Sequence, residues 1–160
     1  MSTLTADPKF GRGTVLGIKW EYFDSVNQPQ DLQIGDGHSV KGTHSVFRDE
    51  NPHTGVLYSN ATVEVVAVKN VSGADVNAGE TVLLDPDTVF GETGGADATL
   101  FGIVDEYLNA PVKDGEVFWA VVRGPTAVNG AAPTGTVASG APDADGNQRV
   151  IVIGSEAHGM

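Results

Sequence analysis

The sequence predicts an all-β fold, and three observations carry that prediction. No window of the 160 residues keeps apolar side chains at helical spacing for three turns. Short runs rich in valine, isoleucine, threonine and aromatics recur along the chain. The 21 glycines and 8 prolines fall mostly between those runs, where turn chemistry needs them. The expected architecture is a small β-barrel or β-sandwich body over residues 56–160, closed by a C-terminal hairpin, after an extended, loop-rich N-terminal arm over 1–55. Barrel and sandwich share these signals, so both stand at this level.

The first expected strand covers 14–20. The stretch after it is poor in regular pattern but carries Trp20, Tyr22, Phe23 and Phe47, large aromatics that need a surface to pack on, in this chain or in a partner. At 62–69, "TVEVVAVK" places Val63, Val65 and Ala67 on one face and Glu64, Val66 and Val68 on the other. Its start is read as half-buried and its end as buried. Strands at 80–84 and 99–105 follow. The run at 116–123 barely alternates: Val117 to Val122 are all apolar, so this strand must be covered on both faces and is expected at the centre of the sheet. Phe118 and Trp119 then point to opposite faces, one filling the body and the other meeting a second layer, an arm or a neighbouring subunit. Strands at 135–139 and 149–154, with "DG" and "GN" between them, make the hairpin.

Composition narrows the function. The formal net charge is −12, with 21 acidic against 9 basic residues, and such a surface repels phosphate backbones, so no nucleic-acid partner is expected. The charge is uneven: residues 1–50 carry 5 basic and 7 acidic side chains, a net −2, and the remainder carries 4 and 14, a net −10. A near-neutral arm therefore precedes an acidic body. The absence of cysteine removes disulfides, thiolate metal sites and cysteine nucleophiles. No stretch reads as a signal peptide or a membrane-crossing segment, so the expectation is a protein kept in the cytoplasm where it is made, with no membrane partner.

Candidate chemistry is thin. His38, His44 and His53 lie near Asp36, Asp49 and Glu50, but their spacing matches no metal-ligand pattern, and solvated loop histidines are the plainer reading. Asp143, Asp145 and Asn147 alternate as in a calcium loop, yet the glycine comes too early and no bidentate glutamate follows at the proper distance. The loop "GETGGAD" at 91–97 opens no helix, lacks lysine and holds carboxylates, so it is read as a flexible loop rather than a phosphate cradle. No nucleophile elbow is present. Asp105 and Glu106, adjacent at a strand end, should point to opposite faces and not work as a pair. Arg123 is read as a strand-end charge that reaches solvent or a nearby acid. No enzyme activity, metal or cofactor is expected.

Two segments, "VEVVAVKNVSGADVNAGETVLLD" and "GIVDEYLNAPVKDGEVFWAVVRGPTAV", resemble the decoration, or cement, proteins of tailed-bacteriophage capsids. The similarity runs over about 63–84 and 102–128, under a third of the chain, as a pattern of turns and buried strands. It implies a β-barrel-like structural protein on the outer capsid surface of a virion. Its partners would be the major capsid protein and its own copies, often as a homotrimer, clamping neighbouring capsomers with no enzymatic activity and no cofactor. The capsid or subunit contact is then expected at Trp20, Tyr22, Phe23, Phe47 and Trp119. The alternative is a β-module that binds carbohydrate or another ligand through exposed aromatics, on a virion or attached to an enzyme.

Overall fold

A computed structural model describes residues 42, 44–51, 54–108, 111–140, 147–155 and 157. The predicted strand at 14–20 and the aromatics Trp20, Tyr22 and Phe23 lie outside them. Among the described residues there are seven strands: β1 (His44–Glu50), β2 (Leu57–Lys69), β3 (Thr81–Leu83), β4 (Phe101–Val104), β5 (Val117–Asn129), β6 (Thr136–Ala138) and β7 (Asn147–Val152). One turn of 3-10 helix, Pro86–Thr88, is the only helical element among the described residues. All strand pairs are antiparallel. The order β1-β2-β5-β4-β3 leaves β1 and β3 at its two ends, so the sheet is open, and β6 and β7 join it through β5.

The apolar pattern explains this order. Val63, Val65 and Ala67 of β2, Phe101 and Ile103 of β4 and Val117, Trp119 and Val121 of β5 share one face with Val150 and Val152 of β7. Val66 and Val68, Val104, and Phe118, Ala120 and Val122 share the other face, which loop residues Val76, Leu84, Phe90 and Val112 cover. Period-two alternation therefore sends every second residue of the central strands into a separate core. The central position expected for the "VFWAVV" run is the observed one, because only a strand flanked by β2 and β4 and capped on both faces can bury six successive apolar residues.

Two elements depart from the sequence reading. His44–Glu50, placed within the loop-rich arm, is a strand paired along β2, with His44 opposite Val66 and Arg48 opposite Thr62. Its polar letters hid it, since Phe47 alone packs against the core of that face. β5 also continues past Arg123 to Asn129. Its first half pairs with β2 and β4, and from Gly124 onward it pairs with β7. Gly124 makes the transfer possible: its φ is +105°, and a Cβ there would lie 2.4 Å from the Thr62 carbonyl oxygen.

The segments that resemble the decoration proteins are built around three side-chain-locked turns. Asn70, fully buried, donates from Nδ2 to the carbonyls of Ala74 and Val112 and accepts at Oδ1 from the Ser72 backbone and hydroxyl. The turns at 77–80 and 113–116 use one device twice. In each, a glutamate carboxylate accepts from the backbone N–H three residues earlier, Asn77 for Glu80 and Lys113 for Glu116. Each glutamate N–H returns a bond to the carbonyl of that same residue, and Gly79 or Gly115 takes the positive φ. Val76 and Val112, which precede the two turns, exchange reciprocal backbone hydrogen bonds at 2.9 and 2.8 Å. Asn70→Ala is expected to cost about 2–3 kcal/mol in urea unfolding, because it removes four hydrogen bonds that one fully buried side chain makes across two turns. A loss below about 0.5 kcal/mol, the range of ordinary surface changes, would show that the turns hold without the Asn70 amide.

Candidate functional site

Among the predicted contact residues, the structure brings Phe47 and Trp119 together. Their ring centroids are 5.5 Å apart at 73°, an edge-to-face contact. Trp119 is 1% exposed and Phe47 is half-buried, so the pair joins β1 to the core and Trp119 presents no surface to a partner or a sugar. Phe118 is equally buried on the opposite face, which gives both aromatics of the run internal roles.

The exposed apolar surface lies elsewhere. Between its pairings with Arg48 and Glu50, β2 runs from Thr62 to Leu57, so it carries three more residues than β1 and arches outward. Val56, Leu57 and Tyr58 on this hairpin are 50%, 44% and 50% exposed. The Tyr58 hydroxyl accepts from Asn51 Nδ2, and the Ser59 hydroxyl donates to Asp49 at 2.7 Å. Where β5 leaves β2 at Gly124, the arch and β7 part and enclose a groove of about 820 Å³. Tyr58, Glu64, Arg123, Arg149, Ile151 and Ile153 give it its chemistry.

Arg149 organises the polar wall of that groove. Its guanidinium donates to Glu106 at 2.6 Å, lies 4.0 Å from Asp49 and sits 5.9 Å from the Tyr58 ring centroid. Burial raises the Glu106 carboxyl above its ordinary range, and the Arg149 charge opposes that shift. Arg123 pairs across strands with Glu64 at 3.6 Å, the nearby-acid arrangement read from the sequence. Neither Arg149 nor Tyr58 was legible as a site residue. The one signal was a cation within the alternating strand "NQRVIV", and its meaning depends on acids contributed by β1 and by the turn after β4.

Other motifs resolve as structure. His44 is in a strand rather than a solvated loop, and burial lowers its imidazole pKa while Glu64 opposes the shift. His38 and His53 lie outside the described residues, among which no three His, Cys, Asp or Glu side chains could hold a metal. The 91–97 loop, read as flexible, is pinned to the sheet: Lys69 N–H donates to Gly91, Thr93 N–H to Lys69 and Gly94 N–H to Leu83. β6 and β7 form the expected hairpin, and its connection at 141–146, with Asp143 and Asp145, lies outside the described residues. Asp105 and Glu106 do not alternate. β4 ends at Val104, so the two acids sit in a turn and line the same small cavity.

No family model, no curated protein and no solved structure matches the chain.

Proposed function

We propose that this protein is a structural, non-enzymatic decoration protein that binds the outer surface of a bacteriophage capsid and steadies contacts between capsomers. The observation that carries the reading is the division of labour along the chain. The residues that resemble decoration proteins, Asn70, Glu80, Glu116 and the "VFWAVV" run, build turns and core. Among the described residues, large exposed apolar side chains lie instead on the β1–β2 hairpin, at Val46, Val56, Leu57 and Tyr58, and at β6–β7, at Val137, Ile151 and Ile153, with Val71 and Val89 apart from both. An acidic body with exposed apolar side chains on its hairpins, joined to a near-neutral arm bearing Trp20, Tyr22 and Phe23, suits docking by one part of its surface and exposure to solvent over the rest. The major capsid protein is the proposed partner, with copies of the chain assembling as a homotrimer on the virion and no nucleic acid or membrane involved. In this reading the open, two-face sheet is a β-barrel-like body left unclosed between β1 and β3.

Co-sedimentation of the full chain with shells of its phage tests the proposal. Removal of residues 1–41, which keeps β1, and the separate change Leu57→Asp are each expected to weaken binding at least about tenfold, the effect of losing a central apolar anchor. Absence of binding by the full chain overturns the function; unchanged binding by Leu57→Asp removes the hairpin from the contact.

The groove beside Tyr58 favours a second reading, a carbohydrate- or other ligand-binding module. Buried Trp119 contributes nothing to it and Trp20 and Tyr22 lie outside the described residues, so among those described that reading rests on Tyr58 as the stacking ring. A glycan array without hits would discard it.

A further inference from the structure

Asp105 opens the turn after β4 and is 1% exposed. Its backbone N–H donates to the Trp119 carbonyl at 3.0 Å, and its Oδ1 accepts from the Tyr107 N–H at 2.9 Å. The other carboxyl oxygen, Oδ2, has no hydrogen-bond partner, and neither has the buried hydroxyl of Thr126 on β5. Both residues line one cavity of about 10 Å³, which has room for a single water at most. A carboxylate can only accept there, whereas the neutral acid can also donate from Oδ2.

Around Asp105 the acids outnumber the cations, and the one cation among the described residues lining the cavity, Arg48, is an exposed side chain. Glu106 and Tyr107 follow it in the same turn, β1 contributes Arg48, Asp49 and Glu50, and the facing residues Val63, Val121, Pro125 and Thr126 are uncharged. Arg149 on β7 is half-buried and is engaged by Glu106 and Asp49; Tyr58 of β2 stands beyond it. Two carboxyl groups thus share the half-buried Arg149 guanidinium where β1, β7 and the turn after β4 meet, and Asp105 adjoins one of them, Glu106.

We propose that Asp105 is a proton-binding site that locks this junction. As the neutral acid it leaves Glu106 free to hold Arg149; once ionised, it sets a second negative charge beside Glu106 and slackens the hold of β7 on the body. Burial pushes the Asp105 carboxyl well above its ordinary 3.8, the Tyr107 N–H opposes that, and the Glu106 charge adds to it. The folded chain therefore keeps a proton that the unfolded chain releases above about 3.8. Stability is full below that value and is lost as pH rises toward the raised one, by up to about tenfold in the folding equilibrium per pH unit.

Urea unfolding of the full chain between about pH 5 and about pH 8 tests this against Asp105→Asn, which keeps the acceptor for Tyr107 and supplies a permanent donor. The wild type is expected to lose stability with rising pH more steeply than the variant, and to show, above the ordinary carboxyl range, a carboxylic-acid C=O infrared band that the variant lacks. Parallel pH slopes, or no such band in the wild type, overturn the proposal. Should the variant not fold, the wild type decides alone. Faster amide exchange in β7 as the band disappears supports the lock, and loss of the band with unchanged β7 exchange overturns it.

Discussion

Trp119→Ala is expected to destabilise the protein by about 3–5 kcal/mol, the cost of removing a large aromatic from a core that cannot collapse around the hole. The ring lies between β-strand neighbours on a face that holds Val65, Phe101, Ile103 and Val150, and Phe47 meets its edge. Four different strands therefore lose contacts at once, together with an aromatic pair worth about 0.5–1.5 kcal/mol beyond its buried area. Total stabilities run at about 5–15 kcal/mol, so the variant should be partly unfolded at ambient temperature or close to it. Urea unfolding followed by circular dichroism measures the loss, and Trp119→Phe should recover a large part of it. A loss under about 1 kcal/mol would contradict the packing described here.

Gly124→Ala is the second large effect expected, although the change adds only a methyl group. The methyl would meet the Thr62 carbonyl oxygen at 2.4 Å and the Val63 Cα at 3.1 Å, both backbone atoms of a central strand. The left-handed φ of +105° adds backbone strain of about 1–3 kcal/mol for any residue with a Cβ. Relief requires β2 and β5 to move apart where β5 passes to β7, so a total cost above about 3 kcal/mol is expected. Amide chemical shifts should change along both 62–66 and 149–152. Gly130→Ala serves as the control: it shares a positive φ of +90° but meets nothing within 4 Å. Equal losses at the two glycines would show that conformation, and not the close approach, is what position 124 requires.

The strands that could be read from the sequence were those whose own side chains declare their environment. Runs such as "VEVVAV" and "VFWAVV" bury residues on both faces, and their composition says so without help from the rest of the chain. β1 carries a single core aromatic among polar residues, so its place depends on β2 and was invisible alone. The end of β5 was misplaced for a related reason: Gly124 and Pro125 read as a stop, whereas the glycine hands the strand from one partner to another and Pro125 pairs with Ile151. The groove is a product of that divergence and has no signature in any one segment. The Asp105 junction was missed because strand alternation was extended one residue too far; past Val104 the backbone turns, and both acids come to one cavity.

β5 belongs to both ladders, with Val117–Arg123 paired to β2 around one bulged residue, Val122, and its last six residues paired to β7. The hairpin of β6 and β7 therefore has no hinge of loop residues between it and the body; its support is the same covalent strand that holds Trp119. Two lobes joined by a linker can melt separately, but here opening the β7 ladder exposes Val150 and Val152 from the core shared with β2 and β4. The physical outcome is a chain whose parts share one cooperative unit, in which a local loss at the hairpin is felt at the centre of the sheet.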